Sequence, residues 1–298
     1  MANFDFGKDI LINVLSRAEE LAIGLSDRET EAKAYIQASY IAVVGEGFPW
    51  PWAKKEPPGI LTTVAEYTTG SVLVTNGSKN ITFSSAPAAS RAKQKFSVDA
   101  DPVTYRIDTH VAAAAAAVLD RNYLGTTNTA AAFHVFEDEY DLASDFLRPF
   151  SRRNFLRDAH SASTVRLVGE DEMGGLYPYA GRSSFYPRYA AMIAEKRIRL
   201  VPYPTDAKYY EYPYIFHPGV LDFTGAGAGD TPIISPAEDR IVLALFAVGN
   251  LLADKNDDRA TTFLQGAGAK LRDMKRLGLS INRPRSWVPP GARVSTYR

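Results

Sequence analysis

The spacing of the hydrophobic residues changes twice along this 298-residue chain, and this change constrains the fold more than any other feature of the sequence. Near both ends, apolar residues recur every three to four positions, which is typical of amphipathic helices. In the middle of the chain they recur at every second position, which is typical of half-buried strands. The sequence therefore predicts helices at the two ends and a β module between them.

Two amphipathic helices are predicted at the start of the chain. Residues 8–25 place apolar side chains at helical spacing, with most of the charges on the other face. Ser26 and Glu29 have the spacing of a capping box, and the helical pattern continues from there to Val44. We expect these two helices to form an antiparallel hairpin.

The beginning of the chain does not have the pattern of a secretory signal peptide, because Glu19 and Glu20 interrupt its apolar stretch. No window reaches the roughly 18 consecutive apolar residues that a membrane span needs. We therefore expect a mature, soluble protein that is made in the cytoplasm.

Alternating residues indicate strands over residues 60–137. In SVLVTNGSKNITF, Asn76 and Gly77 stand between β-branched and aromatic residues, which is the strongest short signal for a hairpin. A second turn is predicted over residues 99–102. The alanine run at residues 112–117 has high helix propensity, but its β-branched neighbours favour a strand or an extended loop, and the sequence leaves strand or helix open. This region predicts a small antiparallel barrel or sandwich.

Prolines interrupt the chain on both sides of this region. The segment FPWPWAKKEPPG at residues 48–59 denies backbone donors and favours extended conformations, so we interpret it as a boundary. Residues 138–235 are broken repeatedly by prolines, with short strand-like pieces such as RIRLVPYP and YYEYPYIF between them. The sequence predicts an irregular linking region there.

Helix returns near the end of the chain. Ser235 is predicted to cap it, with Pro236 at the first helical position, and the apolar run over residues 241–252 should be deeply buried. A last helix is predicted over residues 260–277, and Gly278 should end it.

The predicted fold class is α+β: a helical bundle built from the N- and C-terminal helices, with an inserted small antiparallel β barrel or sandwich and an extended C-terminal arm. The predicted parts are residues 1–57 (N-terminal helical hairpin), 58–137 (β barrel or sandwich), 138–235 (irregular linking region), 236–278 (C-terminal helices) and 279–298 (extended arm).

Composition excludes several kinds of function. Lys and Arg number 34 and Asp and Glu number 34, so the formal net charge is zero, which argues against a dedicated nucleic-acid binder and favours association. The chain contains no cysteine, which excludes disulfides, zinc–thiolate and Fe–S sites, and Cys nucleophiles.

Motif searches predict no catalytic residue, no cofactor and no metal. The histidines lack the spacing that places two of them on one helical face, and we interpret them as surface or hydrogen-bonded residues: His110, His134, His160 and His217. The GAGAGD segment at residues 225–230 lacks the helix that should follow a phosphate loop, so a flexible loop is favoured.

Two acidic segments of the sequence have the residue types of a binding or catalytic site. Residues 254–258 resemble the start of an EF-hand, but Arg259 and Gln265 stand where that loop needs glycine and glutamate, so we predict a turn between helices. A denser group could suggest a glycosidase pair, although a solvated turn is favoured: Glu137, Asp138, Glu139, Asp141 and Asp145. We predict that the protein is not an enzyme.

The C-terminal segment carries the candidate binding residues. Residues 279–298 contain three prolines and lack periodicity, so they cannot form a core of their own. Tryptophan, tyrosine and arginine are the residue types that anchor interfaces, and we predict an interaction arm rather than an idle terminus. The candidate residues are Arg283, Arg285, Trp287, Arg293, Tyr297 and Arg298.

Five segments, in this order, carry a resemblance to a known family: ASYIAVVGEGFPWPWAKK, TTGSVLVTNGSKNITFS, LDRNYLGTTNTAAAFHVFEDEYDLASDF, RIRLVPYPTDAKYYEYPYI and IVLALFAVGNLLADKNDDRATTFLQGAGAKLRDM. The chain resembles the head-to-tail adaptor (connector, or gateway) proteins of tailed bacteriophages, including the tail-tubular-protein-A-like group. It departs from that pattern at Ala143, where proline is common, and in the alanine run.

The resemblance implies a non-enzymatic virion protein at the head–tail junction. Such a protein forms a ring, commonly of twelve copies, that joins the capsid portal protein to a downstream nozzle or tail-tube protein. It continues the channel through which double-stranded DNA is retained and ejected, without sequence-specific binding, and its C-terminal arm reaches the portal.

Two alternatives stay open from the sequence: a tail- or fibre-docking protein elsewhere in the virion, and a glycan-binding or glycan-hydrolysing β protein.

Overall fold

The computed structural model describes residues 7–17, 26–99, 101–161, 163–176, 183–184, 186–224 and 231–282. The chain divides into two compact units. The helical unit consists of Met1–Ala53 and His217–Arg298, and the β unit is the continuous segment Lys54–Phe216.

The described residues form five helices: α1 (Gly7–Arg17), α2 (Ser26–Gly45), α3 (Glu170–Leu176), α4 (Ile241–Ala253) and α5 (Arg259–Asn282). In the helical unit, α4 packs against α1, α2 and α5. Its apolar sequence IVLALFAVGNLLA buries Val242, Leu243, Val248 and Leu251, which confirms the predicted burial of this run. None of the described helices is long and apolar enough to cross a membrane.

Aromatic residues of the predicted boundary segment lie inside the helical unit. Trp50 is 1% exposed, and its Nε1 donates a hydrogen bond to the carbonyl oxygen of Val43 at 2.8 Å. The ring of Trp52 stacks on the ring of Trp50, with 5.2 Å between the centroids. The ring of Phe48 also packs against Trp50, with 4.5 Å between the centroids. Trp50 therefore belongs to the core of the helical unit, with its indole N–H on a backbone carbonyl, whereas Phe48 and Trp52 are half-buried beside it.

Two predicted helix ends are wrong. Ser235 does not cap α4, because a 3-10 turn over Ala237–Arg240 precedes that helix. Gly278 does not end α5, which continues to Asn282. A Cβ on Gly278 would lie 3.0 Å from the ring of Phe48, so this glycine allows close packing rather than a left-handed cap.

The described residues of the β unit form eighteen strands: β1 (Gly59–Thr62), β2 (Val72–Val74), β3 (Asn80–Phe83), β4 (Lys95–Val98), β5 (Thr104–His110), β6 (Ala116–Leu119), β7 (Asn128–Ala131), β8 (Phe133–Phe136), β9 (Glu139–Asp141), β10 (Phe146–Pro149), β11 (Leu156–Asp158), β12 (Thr164–Val168), β13 (Ser183–Ser184), β14 (Tyr189–Ala194), β15 (Arg197–Val201), β16 (Tyr203–Pro204), β17 (Tyr209–Tyr212) and β18 (Tyr214–Phe216).

One seven-stranded sheet has the order β7-β2-β3-β6-β5-β4-β8. Its two edges, β7 and β8, are separated only by Ala132, so the sheet curls until its edges nearly meet. The predicted hairpin is confirmed: β2 and β3 pair across a turn in which Gly77 has a φ of +79°. The alanine run is a turn, with Ala113 at a φ of +61°, followed by β6.

The second seven-stranded sheet has the order β1-β17-β11-β12-β14-β15-β9. It is antiparallel except between β12 and β14. Its edges also approach each other, since the backbone N–H of Val64, just after β1, donates to the hydroxyl of Tyr140 in β9 at 3.4 Å. One face buries aromatic and aliphatic residues, among them Tyr210, Tyr212 and Leu200.

The predicted fold class is wrong. The protein is mostly β, with two strongly curled seven-stranded sheets, and is not a helical bundle with a small β insertion. The strands after residue 138 are two to six residues long. The strand-like pieces RIRLVPYP and YYEYPYIF do form β15–β18, but their assembly into a sheet was not predicted: β1 pairs with β17, which is about 150 positions later in the chain, at Gly59 and Tyr212. Pairing between distant short strands leaves no hairpin signal in the sequence. The extended arm predicted over residues 279–298 is wrong for residues 279–282, which complete α5, and from Arg283 onward it lies outside the described residues.

Candidate functional site

The acidic segment after β8 joins a network of ion pairs. The Asp138 side chain is 3% exposed, and its Oδ2 lies 2.7 Å from Nζ of Lys95 in β4. Glu139 Oε1 accepts a hydrogen bond from Nη2 of Arg199 at 2.9 Å, and its Oε2 lies 3.3 Å from Nη2 of Arg197. The expected solvated turn is therefore wrong for Asp138 and Glu139, because strand pairing brings cations from β4 and β15 onto them.

Burial and pairing act differently on these carboxylates. Burial raises the pKa of Asp138 in spite of the charge of Lys95. Burial alone would raise the pKa of Glu139 as well. The hydrogen bond from Arg199 and the charge of Lys95 together outweigh burial and hold this pKa below its usual range. Glu137 has a raised pKa through burial. These groups line a cavity of about 400 Å³ together with basic side chains.

The remaining members of the acidic group are also engaged. Asp145 accepts hydrogen bonds from Lys55 at 2.7 Å and from the hydroxyl of Tyr214 at 2.6 Å. Burial alone would raise the pKa of Asp145, but the two hydrogen bonds have the larger effect, so the pKa lies below its usual value. Asp141 is exposed and lies 3.7 Å from Arg197. A glycosidase needs one free carboxylate and one protonated acid facing a sugar. Asp138, Glu139 and Asp145 instead serve as partners of cations, and Glu137 accepts a hydrogen bond from Gln94 at 3.4 Å.

His134 lies between two carboxylates. Its Nδ1 is 2.6 Å from Oε1 of Glu66, and its Nε2 is 2.7 Å from Oδ1 of Asp99. Glu66 Oε1 also accepts the hydroxyl of Tyr203 at 2.7 Å, so this chain of hydrogen bonds connects β8 with β16. The aromatic rings of Phe136 and Tyr203 stack beside it with 3.8 Å between centroids. The arrangement holds strands of the β unit together.

The other histidines have structural environments as well. His110 Nδ1 accepts the backbone N–H of Arg91 at 3.0 Å, and its Nε2 lies 3.0 Å from the carbonyl oxygen of Ala114. His160 meets the ring of Tyr209 edge-on, and His217 is exposed. The interpretation of the histidines as hydrogen-bonded or surface residues is confirmed for the described chain.

The segment that resembles an EF-hand is the turn between α4 and α5. Asn256 adopts a φ of +55°, and Arg259 donates to both carboxylate oxygens of Asp257 at 3.1 Å. This hydrogen bonding lowers the pKa of Asp257 to about 2. Asp254 accepts the hydroxyl of Tyr35. The predicted turn is confirmed, and the described residues contain no group of three or more His, Asp or Glu side chains that could hold a metal ion.

One tip of the β unit presents an apolar side chain on a well-fixed loop. Leu124, between β6 and β7, is 65% exposed. Asn76 Nδ2 donates to the carbonyl oxygens of Leu124 and Gly125 at 3.1 and 2.9 Å, and the hydroxyl of Tyr105 accepts the N–H of Leu124 at 2.9 Å. The turn at Asn76, which the sequence predicted, therefore holds the loop around Leu124, which the sequence did not predict.

The predicted arm residues fall outside the part of the chain that the structure describes: Arg283, Arg285, Trp287, Arg293, Tyr297 and Arg298. The same is true of the GAGAGD loop at residues 225–230. The pairing of Lys95 with Asp138 was missed by sequence reasoning, since 43 positions separate the two residues and no local pattern connects them.

Comparison with known proteins gives one assignment. Residues 84–293, more than two thirds of the chain, match the family model described as SU10 adaptor protein. This match extends from β4 and its preceding loop through α5. No curated protein matches the chain.

Proposed function

Because the chain belongs to the SU10 adaptor protein family, we propose that it forms the ring that joins the capsid portal to the tail of a phage. The protein is a phage structural adaptor and a virion component. The family match over residues 84–293 is the observation that carries the proposal. The finer assignment to the tail-tubular-protein-A-like group is part of this proposal.

The ring would consist of identical copies, commonly twelve, around a channel for double-stranded DNA. A closed ring of one protein needs heterologous interfaces, in which one flank of each subunit fits the opposite flank of its neighbour. The zero net charge of the chain favours such close association, because like subunits do not repel each other. We expect the isolated protein to be monomeric and to assemble on the portal, where docking raises its local concentration.

Residues 283–298, the part of the predicted arm that follows α5, are proposed as the portal-binding arm. Their arginine, tryptophan and tyrosine side chains are of the types that dominate binding energy at interfaces. Ordering such a segment on a partner has an entropic cost that these contacts offset. The β unit would face the downstream tail protein, with the loop around Leu124 as a contact candidate.

A structural rather than enzymatic role agrees with the acidic group of the β unit. Asp138, Glu139 and Asp145 each lie within 3 Å of a cation, and no free acid pair remains among them to attack a glycosidic bond. The glycan-hydrolysing alternative therefore receives no support from the geometry of these side chains.

Truncation after Asn282 tests the arm, because it keeps the whole of α5. We expect the truncated protein to retain its circular dichroism spectrum and to lose co-sedimentation with the portal. Trp287→Ala or Arg285→Ala should weaken attachment by on the order of 1–3 kcal/mol per subunit, whereas Ser295→Ala in the same segment is the control. Undiminished portal binding by the truncated protein would contradict the arm assignment.

Imaging of purified virions tests the location and the copy number. Density for this chain at the portal vertex, repeated around the tail axis, is the expected result. Density at the tail tip or on fibres would instead identify a fibre-docking protein and overturn the proposed position.

A further inference from the structure

One asparagine side chain holds an exposed loop of the β unit in place. Asn76 lies in the turn between β2 and β3, and its Nδ2 donates to the carbonyl oxygens of Leu124 and Gly125 at 3.1 and 2.9 Å. Because both partners are acceptors, only the nitrogen of the amide fits there. We call residues 120–127, between β6 and β7, the Leu124 loop. The amide connects this loop to a turn 48 positions earlier in the chain.

The backbone of this turn is bound to the same loop. The N–H of Gly77 donates to the carbonyl oxygen of Tyr123 at 2.8 Å, and the N–H of Asn76 donates to Oγ1 of Thr127 at 2.9 Å. The N–H of Tyr123 in turn donates to the carbonyl oxygen of Ser78 at 2.8 Å. Main-chain and side-chain groups of the turn thus bind one loop, and we expect the turn and the loop to open together.

An asparagine that precedes a glycine is chemically unstable when both residues are free to move. The main-chain nitrogen of Gly77, after loss of its proton, attacks Cγ of Asn76 and forms a C–N bond. The bond between Cγ and Nδ2 breaks, and Nδ2 takes up a proton and leaves as ammonia. Water then opens the cyclic succinimide and yields aspartate or isoaspartate. Glycine has no Cβ to hinder this attack, and both residues are exposed to the water that the last step consumes.

The folded structure holds both reacting groups in hydrogen bonds to the Leu124 loop. The nitrogen that must attack, that of Gly77, keeps its proton on the carbonyl oxygen of Tyr123. The group that must leave, Nδ2 of Asn76, is bound to two further carbonyl oxygens. Loss of the proton and departure of Nδ2 each break hydrogen bonds to the loop. The reaction therefore requires local opening of this part of the β unit.

We propose that Asn76 is a deamidation site under the control of the Leu124 loop. While the loop is bound, its hydrogen bonds protect the amide. The aspartate product presents carboxylate oxygens, which only accept hydrogen bonds, to the carbonyl oxygens of Leu124 and Gly125. The loop is then released, and the side chain of Leu124, which is 65% exposed, loses its fixed position. An effect on the contact with the tail rests on the proposed function, whereas the reaction itself does not.

Peptide mass spectrometry of the full chain, incubated at pH 8.5 and 37 °C with and without 6 M guanidinium chloride, measures the reaction. We expect Asn76 to deamidate about tenfold more slowly, or slower still, in the folded protein, because the reaction requires the open loop.

Two variants test the control by the loop. Tyr105→Phe removes the hydroxyl that accepts the N–H of Leu124 at 2.9 Å, and it leaves the reacting residues unchanged. It should speed deamidation in the folded protein roughly three- to tenfold, which corresponds to the loss of one hydrogen bond. Tyr67→Phe is the matched control, since its hydroxyl donates at 2.6 Å to the carbonyl oxygen of Ser85, which follows β3, whereas Asn76 precedes β3.

Equal rates in the two tyrosine variants would overturn the control by the loop, and so would equal rates with and without denaturant. Hydrogen exchange of Asn76→Asp gives a second measurement. The main-chain amides of Tyr123 and Leu124 should lose protection, while those of β12 keep theirs, and unchanged protection at Tyr123 and Leu124 would refute the release of the loop. These experiments use the isolated protein, so their failure is distinguishable from a failure of portal co-sedimentation, which concerns only the proposed adaptor position.

Discussion

Gly249 of α4 lies directly against Leu264 of α5, so closely that a Cβ on Gly249 would be 2.7 Å from both Cγ and Cδ2 of the leucine. The backbone nitrogen of Leu264 would be 3.3 Å away, so a shift of the leucine side chain alone would not relieve the crowding. The absence of a side chain at this position therefore sets how closely α4 and α5 approach.

Gly249→Ala should destabilise the helical unit. Overpacking costs about 1–3 kcal/mol, partly offset by the gain of about 1 kcal/mol that alanine brings to a helix. Gly266→Ala in α5 is the matched control, because its Cβ would meet nothing within 4 Å and only the gain remains. Urea unfolding, with hydrogen exchange of α4 and α5 as a local readout, measures both. Equal stability of the two variants would contradict the close approach.

Gly77→Ala should destabilise the β2–β3 hairpin through its backbone alone. The φ of Gly77 is +79°, and a Cβ there would meet no atom within 4 Å. We expect a loss of about 1–2 kcal/mol in the free energy of unfolding, and a smaller loss for Gly77→Asn, because asparagine tolerates the left-handed region. Thermal unfolding of the two variants checks this order, and a larger loss for asparagine would refute it.

Lys95→Met should cost more stability than Asp138→Asn. Removing Lys95 leaves a carboxylate that is 3% exposed without its nearest cation, since Arg199 Nε is 3.9 Å away, and we expect a loss of about 2–4 kcal/mol. Removing the charge of Asp138 leaves Lys95 near Glu139, at 3.4 Å, and costs less. The double variant should recover part of the Lys95→Met loss. A double-mutant cycle by urea denaturation measures this coupling. If the double variant loses as much stability as the two single variants added together, the two side chains are not coupled.

The stability deficit of Lys95→Met should shrink as the pH falls. Burial raises the pKa of Asp138, so the folded protein holds that proton more tightly than the unfolded chain does. The contribution of Asp138 to stability therefore falls as the pH rises from its unfolded pKa, about 3.9, through its higher folded pKa. Without Lys95 that pKa rises further, and the difference from the unaltered protein should be smaller at pH 5 than at pH 7.5. The Lys95→Met/Asp138→Asn variant lacks the carboxyl group of Asp138, so the change with pH should be smaller there, and what remains of it comes from Glu139, whose pKa Lys95 also lowers.

Local signals in the sequence were sufficient for several elements. The turn at Asn76 and Gly77 was recognisable because a hairpin joins residues that are neighbours in sequence. The burial of α4 was recognisable because its apolar run has almost no polar face. In both cases the paired residues are at most eleven positions apart in the sequence.

Two errors arose where a residue has more than one physical use. Gly278 was predicted to end a helix, but its small size serves packing against Phe48. Asp138 was predicted to lie in a solvated turn, but its partner Lys95 comes from a strand that precedes it by 43 residues. A residue type does not reveal which of its uses the tertiary structure selects.

The sequence by itself determined the existence of α1, α2, α4 and α5, though not all of their ends, the β2–β3 hairpin and, through the family match, the adaptor assignment. Only the tertiary structure decided that the β strands outweigh the helices, that Gly59 pairs with Tyr212, and that Asn76 binds the loop at Leu124. The physical reason is that side-chain spacing encodes which face of a short strand is buried. Which strands pair depends on burying the apolar faces of all strands in one core, and no single position in the sequence specifies that choice.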